Sequence, residues 1–129
     1  MRLTMKIRRV GDVTVLDMTG PLEIGEGVTA FRETLRELVG GEERRLLLNL
    51  ADITYIDSAG LGELVGGFTT AANRGGQLKL LNLTKRVNNL LQITKLVTVF
   101  EVYDDEEQAI ESFGLAAVTY SRTLSQDRN

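Results

Sequence analysis

Leu46–Leu83, LLLNLADITYIDSAGLGELVGGFTTAANRGGQLKLLNL, places two aliphatic runs on either side of a stretch with helical spacing. Arg44–Leu50 (RRLLLNL) is an unbroken apolar run between polar flanks, the pattern of a central strand covered on both faces. Ile53–Ile56 leads from it into Asp57-Ser58. Leu61, Leu64, Val65, Phe68 and Ala72 then recur at helical spacing, NRGG (Asn73–Gly76) stops the helix, and QLKLLNL (Gln77–Leu83) is the next strand. A strand, a helix and a second strand in this order read as a parallel crossover, so this stretch selects an α/β fold.

The flanking sequence extends the pattern. LTMKIRRV (Leu3–Val10) and VTVLDM (Val13–Met18) alternate on either side of Gly11-Asp12, as a tight hairpin does. GPLEIGEG (Gly20–Gly27) reads as a loop. Val28, Phe31, Leu35, Leu38 and Val39 mark a helix that Gly40-Gly41 ends. Beyond Leu83, Val87, Leu90 and Leu91 mark a short helix with Thr84 as its cap, and VTVFEVY (Val97–Tyr103) reads as the last strand. Asp104 and Glu107 form a capping box for a final helix whose Ala109, Ile110 and Phe113 face inward. The expected fold is a single α/β domain over residues 1–113, a mixed β-sheet in β-β-α-β-α-β-α-β-α order flanked by helices. Residues 114–129 lose the periodicity and are expected to be a frayed or disordered C-terminal extension.

Composition narrows the chemistry. The 129 residues include no Cys and no His, which removes the usual zinc ligands and the Ser-His and Cys-His dyads. A net charge of -3 gives no footprint for nucleic acid, and Arg2, Lys6, Arg8 and Arg9 fit a solvated strand face. No apolar run approaches the ~18 residues of a membrane span, so a cytoplasmic protein without a membrane partner is expected. Neither a metal nor a cofactor is called for, and no GxxxxGK(S/T) stretch is present.

Within YIDSAGLGELVGG (Tyr55–Gly67), four glycines sit in the helix that Asp57-Ser58 introduces. Ser58 reads either as the helix cap or as a functional hydroxyl. At ~100° per residue, Leu61, Leu64, Val65, Phe68, Ala71 and Ala72 share a core arc. Gly60 and Gly67 border it, where close packing on the sheet suffices to explain them. Ser58, Gly62, Gly66, Thr69 and Asn73 share another arc with no large side chain. Each interior Gly costs about 1 kcal/mol relative to Ala, so a bare strip headed by a serine suggests the close approach of another protein surface. A phosphate on Ser58 would meet free amides at the helix start while adding charge beside Asp57 and bulk at the edge of that strip.

These residues resemble the STAS-domain anti-sigma factor antagonists, whose signature IDSAGLG (Ile56–Gly62) follows closely. The resemblance implies that Ser58 is phosphorylated by an anti-sigma factor serine kinase. It implies that the unphosphorylated chain binds this kinase and frees its sigma factor, that phosphorylation ends binding, and that a serine phosphatase resets the cycle. The chain is then a substrate and ligand, not an enzyme. Asp57, Gly60, Leu61 and Gly62 match the motif around the serine, and with Gly66, Thr69 and Glu23 they are the expected partner contacts. Glu23 falls where the family has a partner-contacting Asp, one methylene longer and followed by Gly25 and Gly27, and the resemblance leaves open whether it replaces that Asp; Asn49 stands where many relatives have Asp.

Three other readings compete. A STAS scaffold or transporter-associated module would bind without switching. A phosphoaspartate receiver would need an acidic pair after the first strand and a Lys after a late one, which are missing. A serine hydrolase would need a lysine base for Ser58, and Lys79, Lys85 and Lys95 are expected at the surface. IDSAGLG also lacks the Gly two residues before Ser of a nucleophile elbow.

Overall fold

The computed structural model describes residues 1–114. All but the first residue of the expected C-terminal extension lies outside them. The chain forms β1 (Thr4–Val10), β2 (Val13–Leu22), α1 (Glu26–Gly40), β3 (Arg45–Ile56), α2 (Ser58–Asn73), β4 (Gln77–Leu81), α3 (Lys85–Ile93), a 3₁₀ turn (Leu96–Thr98), β5 (Val102–Tyr103) and α4 (Glu106–Ser112). The strands lie in the order β1-β2-β3-β4-β5, with β1 antiparallel to β2 and every later pair parallel. Gly11, at φ 59°, makes the β1–β2 turn that the sequence marks.

Alternation along the strands separates two cores. Leu16, Met18, Leu46, Leu48, Leu78 and Leu80 face a layer built from α1, α2 and α3, where Phe31, Leu35, Leu61, Leu64, Val87 and Leu91 are buried. Val13, Val15, Leu47 and Leu81 face the other way and meet Ala109 and Phe113 of α4. Among the described residues, the two faces are therefore covered unequally.

Several expectations are corrected. GPL (Gly20–Leu22), read as loop, completes β2, which pairs with β3 as far as Leu22 opposite Ile56. The β2 backbone has a register shift there, and Gly20 has φ 107°, where a Cβ would stand 2.8 Å from the Arg2 carbonyl oxygen. The last strand is reduced to Val102–Tyr103. Val97 and Val99 pack on the larger core, while Phe100 meets Phe68 edge-on with ring centroids 5.5 Å apart. Apolar burial outweighs the strand propensity of that β-branched run. Asp105, not Asp104, caps α4, accepting from the Glu107 amide at 3.1 Å. Ala72 is exposed, and Ala71 takes the core position.

Polar groups on the α4 face are tied together. Arg8 bridges Asp17 (Nη2 to Oδ1 3.0 Å) and Glu106 (Nη2 to Oε1 2.7 Å), so it is not the freely solvated charge expected of a strand face. Its guanidinium holds the Asp17 carboxyl below its ordinary range. The Asn49 amide donates to Asp17 Oδ1 at 2.8 Å, a bond that a second carboxylate at that position would replace with repulsion.

Lys79, expected at the surface, is buried, with 4% of its side chain exposed. Its ammonium donates to the Ser112 carbonyl (2.9 Å) and hydroxyl (3.0 Å), pairs with Glu101 at 3.2 Å, and lies 4.8 Å from the centre of the Phe113 ring. It thus adds a donor at the carboxyl end of α4, where the Ser112 hydroxyl donates to the Ala109 carbonyl at 2.7 Å and the Phe113 amide to the Ile110 carbonyl at 3.3 Å. Lys79→Ala is expected to lower stability by about 2 kcal/mol and to raise amide exchange most strongly in α4, as read by urea unfolding and hydrogen exchange.

Candidate functional site

The carboxyl ends of β2 and β3 stand side by side, and from them leave the β2–α1 connection and α2. Asp57 joins the two. Its backbone is extended (φ -110°, ψ -175°), and its Oδ1 accepts from the Gly60 amide at 2.8 Å, making Asp57 the cap of α2. Its Oδ2 accepts from the Ile24 amide at 2.9 Å. The Asp57 amide in turn donates to the Leu22 carbonyl at 3.4 Å. Both carboxylate oxygens are engaged by N–H donors, and the Ile24 amide first and the Gly60 amide second hold the Asp57 carboxyl below its usual range.

The capping alternative for Ser58 is thereby corrected. Asp and Ser are both good caps, and the helix begins one residue earlier than a serine cap requires. Ser58 is the first helical residue; it is exposed, and its hydroxyl makes no hydrogen bond to any described residue. No described residue is placed as its general base. Lys79, the closest thing to a buried base, is committed to α4 on the opposite face of the sheet.

The glycines divide as the helical wheel divides them. A Cβ on Gly60 would stand 2.1 Å from the Leu22 carbonyl oxygen, and one on Gly67 would stand 2.5 Å from Leu35 Cδ1. At Gly62 and Gly66 an added Cβ would meet nothing within 4 Å. Gly62, Gly66, Thr69 and Asn73 are exposed along one side of α2, continuing from Ser58. Gly60 and Leu61, grouped by the resemblance with the contact residues, are buried: Leu61 is 6% exposed and packs in the larger core. They shape the surface from beneath and present no side chain on it.

Beside the strip, Glu63 pairs with Arg32 of α1, and a recess of about 220 Å³ opens between the two helices over Leu35, Val39 and Gly67. Glu23 is half-buried and immediately precedes Ile24, whose amide is bonded to Asp57. Ile24 itself, 77% exposed, was not among the expected contacts. Its only sequence signal is an isoleucine in the glycine-flanked EIGEG (Glu23–Gly27).

Two outcomes follow from this geometry. Gly60→Ala is expected to cost about 1–3 kcal/mol through overpacking, whereas Gly62→Ala and Gly66→Ala are expected to stabilise by up to about 1 kcal/mol each, measured by equilibrium urea unfolding. Because the Asp57 carboxyl is depressed, its contribution is present above its ordinary value and lost as pH falls through the folded one. Exchange protection of the Ile24 amide is therefore expected to persist at about pH 4 and to disappear only below it.

Residues 4–109 match the model of the STAS domain family. The anti-sigma-B factor antagonist of Bacillus subtilis is 29% identical over 112 residues, covering 86% of this chain and 100% of that protein. The crystal structure of the Thermotoga maritima protein TM1081 has a TM-score of 0.79 at 25% identity, over 84% of this chain and 93% of that one. The Bacillus cell fate determinant SpoIIAA in its phosphorylated form has a TM-score of 0.68 at 20% identity, over 84% of this chain and 98% of that one, a likeness of fold.

Proposed function

The chain belongs to the STAS domain family, and on that premise we propose that it is an anti-sigma factor antagonist switched by phosphorylation of Ser58. In the unphosphorylated form the bare strip of Ser58, Gly62, Gly66 and Thr69, flanked by Glu23, receives an anti-sigma factor serine kinase and so frees the sigma factor that the kinase holds. The kinase transfers the γ-phosphoryl group of ATP to the Ser58 hydroxyl oxygen, with loss of the hydroxyl proton and departure of ADP, and releases the chain. A serine phosphatase restores the binding form.

One observation carries this reading: Asp57 performs the capping, so Ser58 stands exposed at the head of α2 with its hydroxyl uncommitted. A serine used as a cap would have to give up its bond before accepting a phosphate. Here the modification costs no existing hydrogen bond, and the nearby helix amides favour an anion. The added charge of about -1.5 to -2 lies beside the ionised Asp57, on the edge of a surface with no side chain to shield it. The partner is then repelled by local charge and bulk, and the fold need not change. The relative from Bacillus subtilis is named for opposing an anti-sigma factor, and the SpoIIAA neighbour has been solved in a phosphorylated state, which fits a fold that accommodates the group.

Incubation with the cognate serine kinase and ATP is expected to add one phosphate at Ser58, detected by mass spectrometry, and none to Ser58→Ala. The phosphorylated chain is expected to bind that kinase at least about 100-fold more weakly than the unmodified chain. A kinase that binds the chain with equal affinity in both states would favour a non-switching STAS module instead.

A further inference from the structure

Ile24 combines an exposed side chain with an anchored backbone. It is 77% exposed, yet its amide donates to Asp57 Oδ2 at 2.9 Å. On either side the loop is held into α1: the Glu23 carbonyl accepts from the Val28 amide at 3.2 Å and the Gly25 carbonyl from the Thr29 amide at 3.1 Å. Gly25 has φ 113°, a conformation closed to most side chains, which fixes the turn after Ile24. A solitary exposed isoleucine is ordinary on a protein surface. Ile24 differs because its backbone is already ordered and bonded to the residue before Ser58, so burying it against a partner would carry little further ordering cost. It also leaves open an adjoining recess of about 230 Å³ lined by Leu3, Pro21 and Gly27, so it does not serve as a cover for the chain's own core.

We propose that Ile24 is an apolar anchor of the docking surface and that Asp57 is its positioning residue, a proposal that rests on the antagonist reading above. The partner is the anti-sigma factor serine kinase, and the feature it must supply is an apolar pocket adjoining the groups that meet Ser58. The surface then has two parts joined through one carboxylate. The bare strip of α2 permits close approach, and Ile24 fills the pocket. Asp57 fixes the distance between them by bonding α2 through Gly60 and the loop through Ile24. Asp57→Asn would disrupt this arrangement, since an amide cannot accept from both the Gly60 and the Ile24 N–H through its two terminal atoms.

The test is a double-mutant cycle on binding of the purified cognate serine kinase to unphosphorylated wild type, Ile24→Ala, Asp57→Asn and the double variant. Thermal unfolding and Ile24 amide exchange are followed in parallel. Ile24→Ala is expected to leave the unfolding midpoint unchanged and to weaken binding about tenfold. Asp57→Asn is expected to expose the Ile24 amide to exchange and to weaken binding, with the double variant less impaired than the product of the single effects. Wild-type affinity in Ile24→Ala, with Ser58 still labelled by the kinase, would overturn the anchor and leave the antagonist reading intact. Strictly multiplicative effects would overturn the positioning role of Asp57. A wild type that the kinase neither binds nor labels would overturn both the anchor and the reading on which it rests.

Discussion

The division of the Asp57 carboxylate between two amides governs the geometry of the site. One oxygen takes the Gly60 N–H and starts α2, and the other takes the Ile24 N–H and fixes the β2–α1 connection. That arrangement brings the Gly60 backbone so close to Leu22 that no side chain fits between them. It also relieves Ser58 of any structural duty. A carboxylate is well suited to this work, because ionised acceptors make stronger hydrogen bonds to amides than a hydroxyl does and remain acceptors at neutral pH.

The sheet supplies the platform. Parallel pairing of β2 with β3 aligns Leu22 with Ile56, so the two chain segments that leave these strands emerge together. Open α/β sheets commonly form their binding sites at the carboxyl ends of parallel strands, and the surface proposed here for docking lies at that end. Coverage of the opposite face by α4 uses a different device. The apolar contact of Ala109 and Phe113 is supplemented at one end by Arg8 with Glu106 and at the other by buried Lys79 with Ser112. Of the three lysines weighed as a base for Ser58, Lys85 and Lys95 are exposed as expected, and Lys79 is a structural donor on the opposite face of the sheet.

Much of this was legible in the sequence because it rests on local periodicity. The strand–helix–strand unit of Leu46–Leu83, the hairpin at Gly11 and the separation of Gly60 and Gly67 from Gly62 and Gly66 all follow from spacing along one element. What escaped depends on partners far apart in the chain or on one-residue shifts. The Asp57–Ile24 bond spans 33 positions, as does the bond from Lys79 to Ser112, and neither leaves a periodic trace. Asp57 versus Ser58 and Asp104 versus Asp105 are choices between adjacent capable caps, decided by where the preceding strand or turn ends. Val97–Val99 has the composition of a strand, but Phe100 against Phe68 draws the segment onto the core. The resemblance brought Gly60 and Leu61 into the contact group because a motif records which residues accompany a site, without distinguishing its surface from its foundation.

The central claim is that the α2 strip and the Asp57-clamped loop form one surface for a protein partner. Amide chemical-shift mapping of the isotopically labelled chain, titrated with the purified cognate serine kinase, tests it most directly. The expected footprint is continuous from Ile24 through Ser58 to Gly62, Gly66 and Thr69, with the amides of α4 and of Lys79 unmoved. A footprint centred on α4, with the amides of α2 and Ile24 unchanged, would contradict the claim.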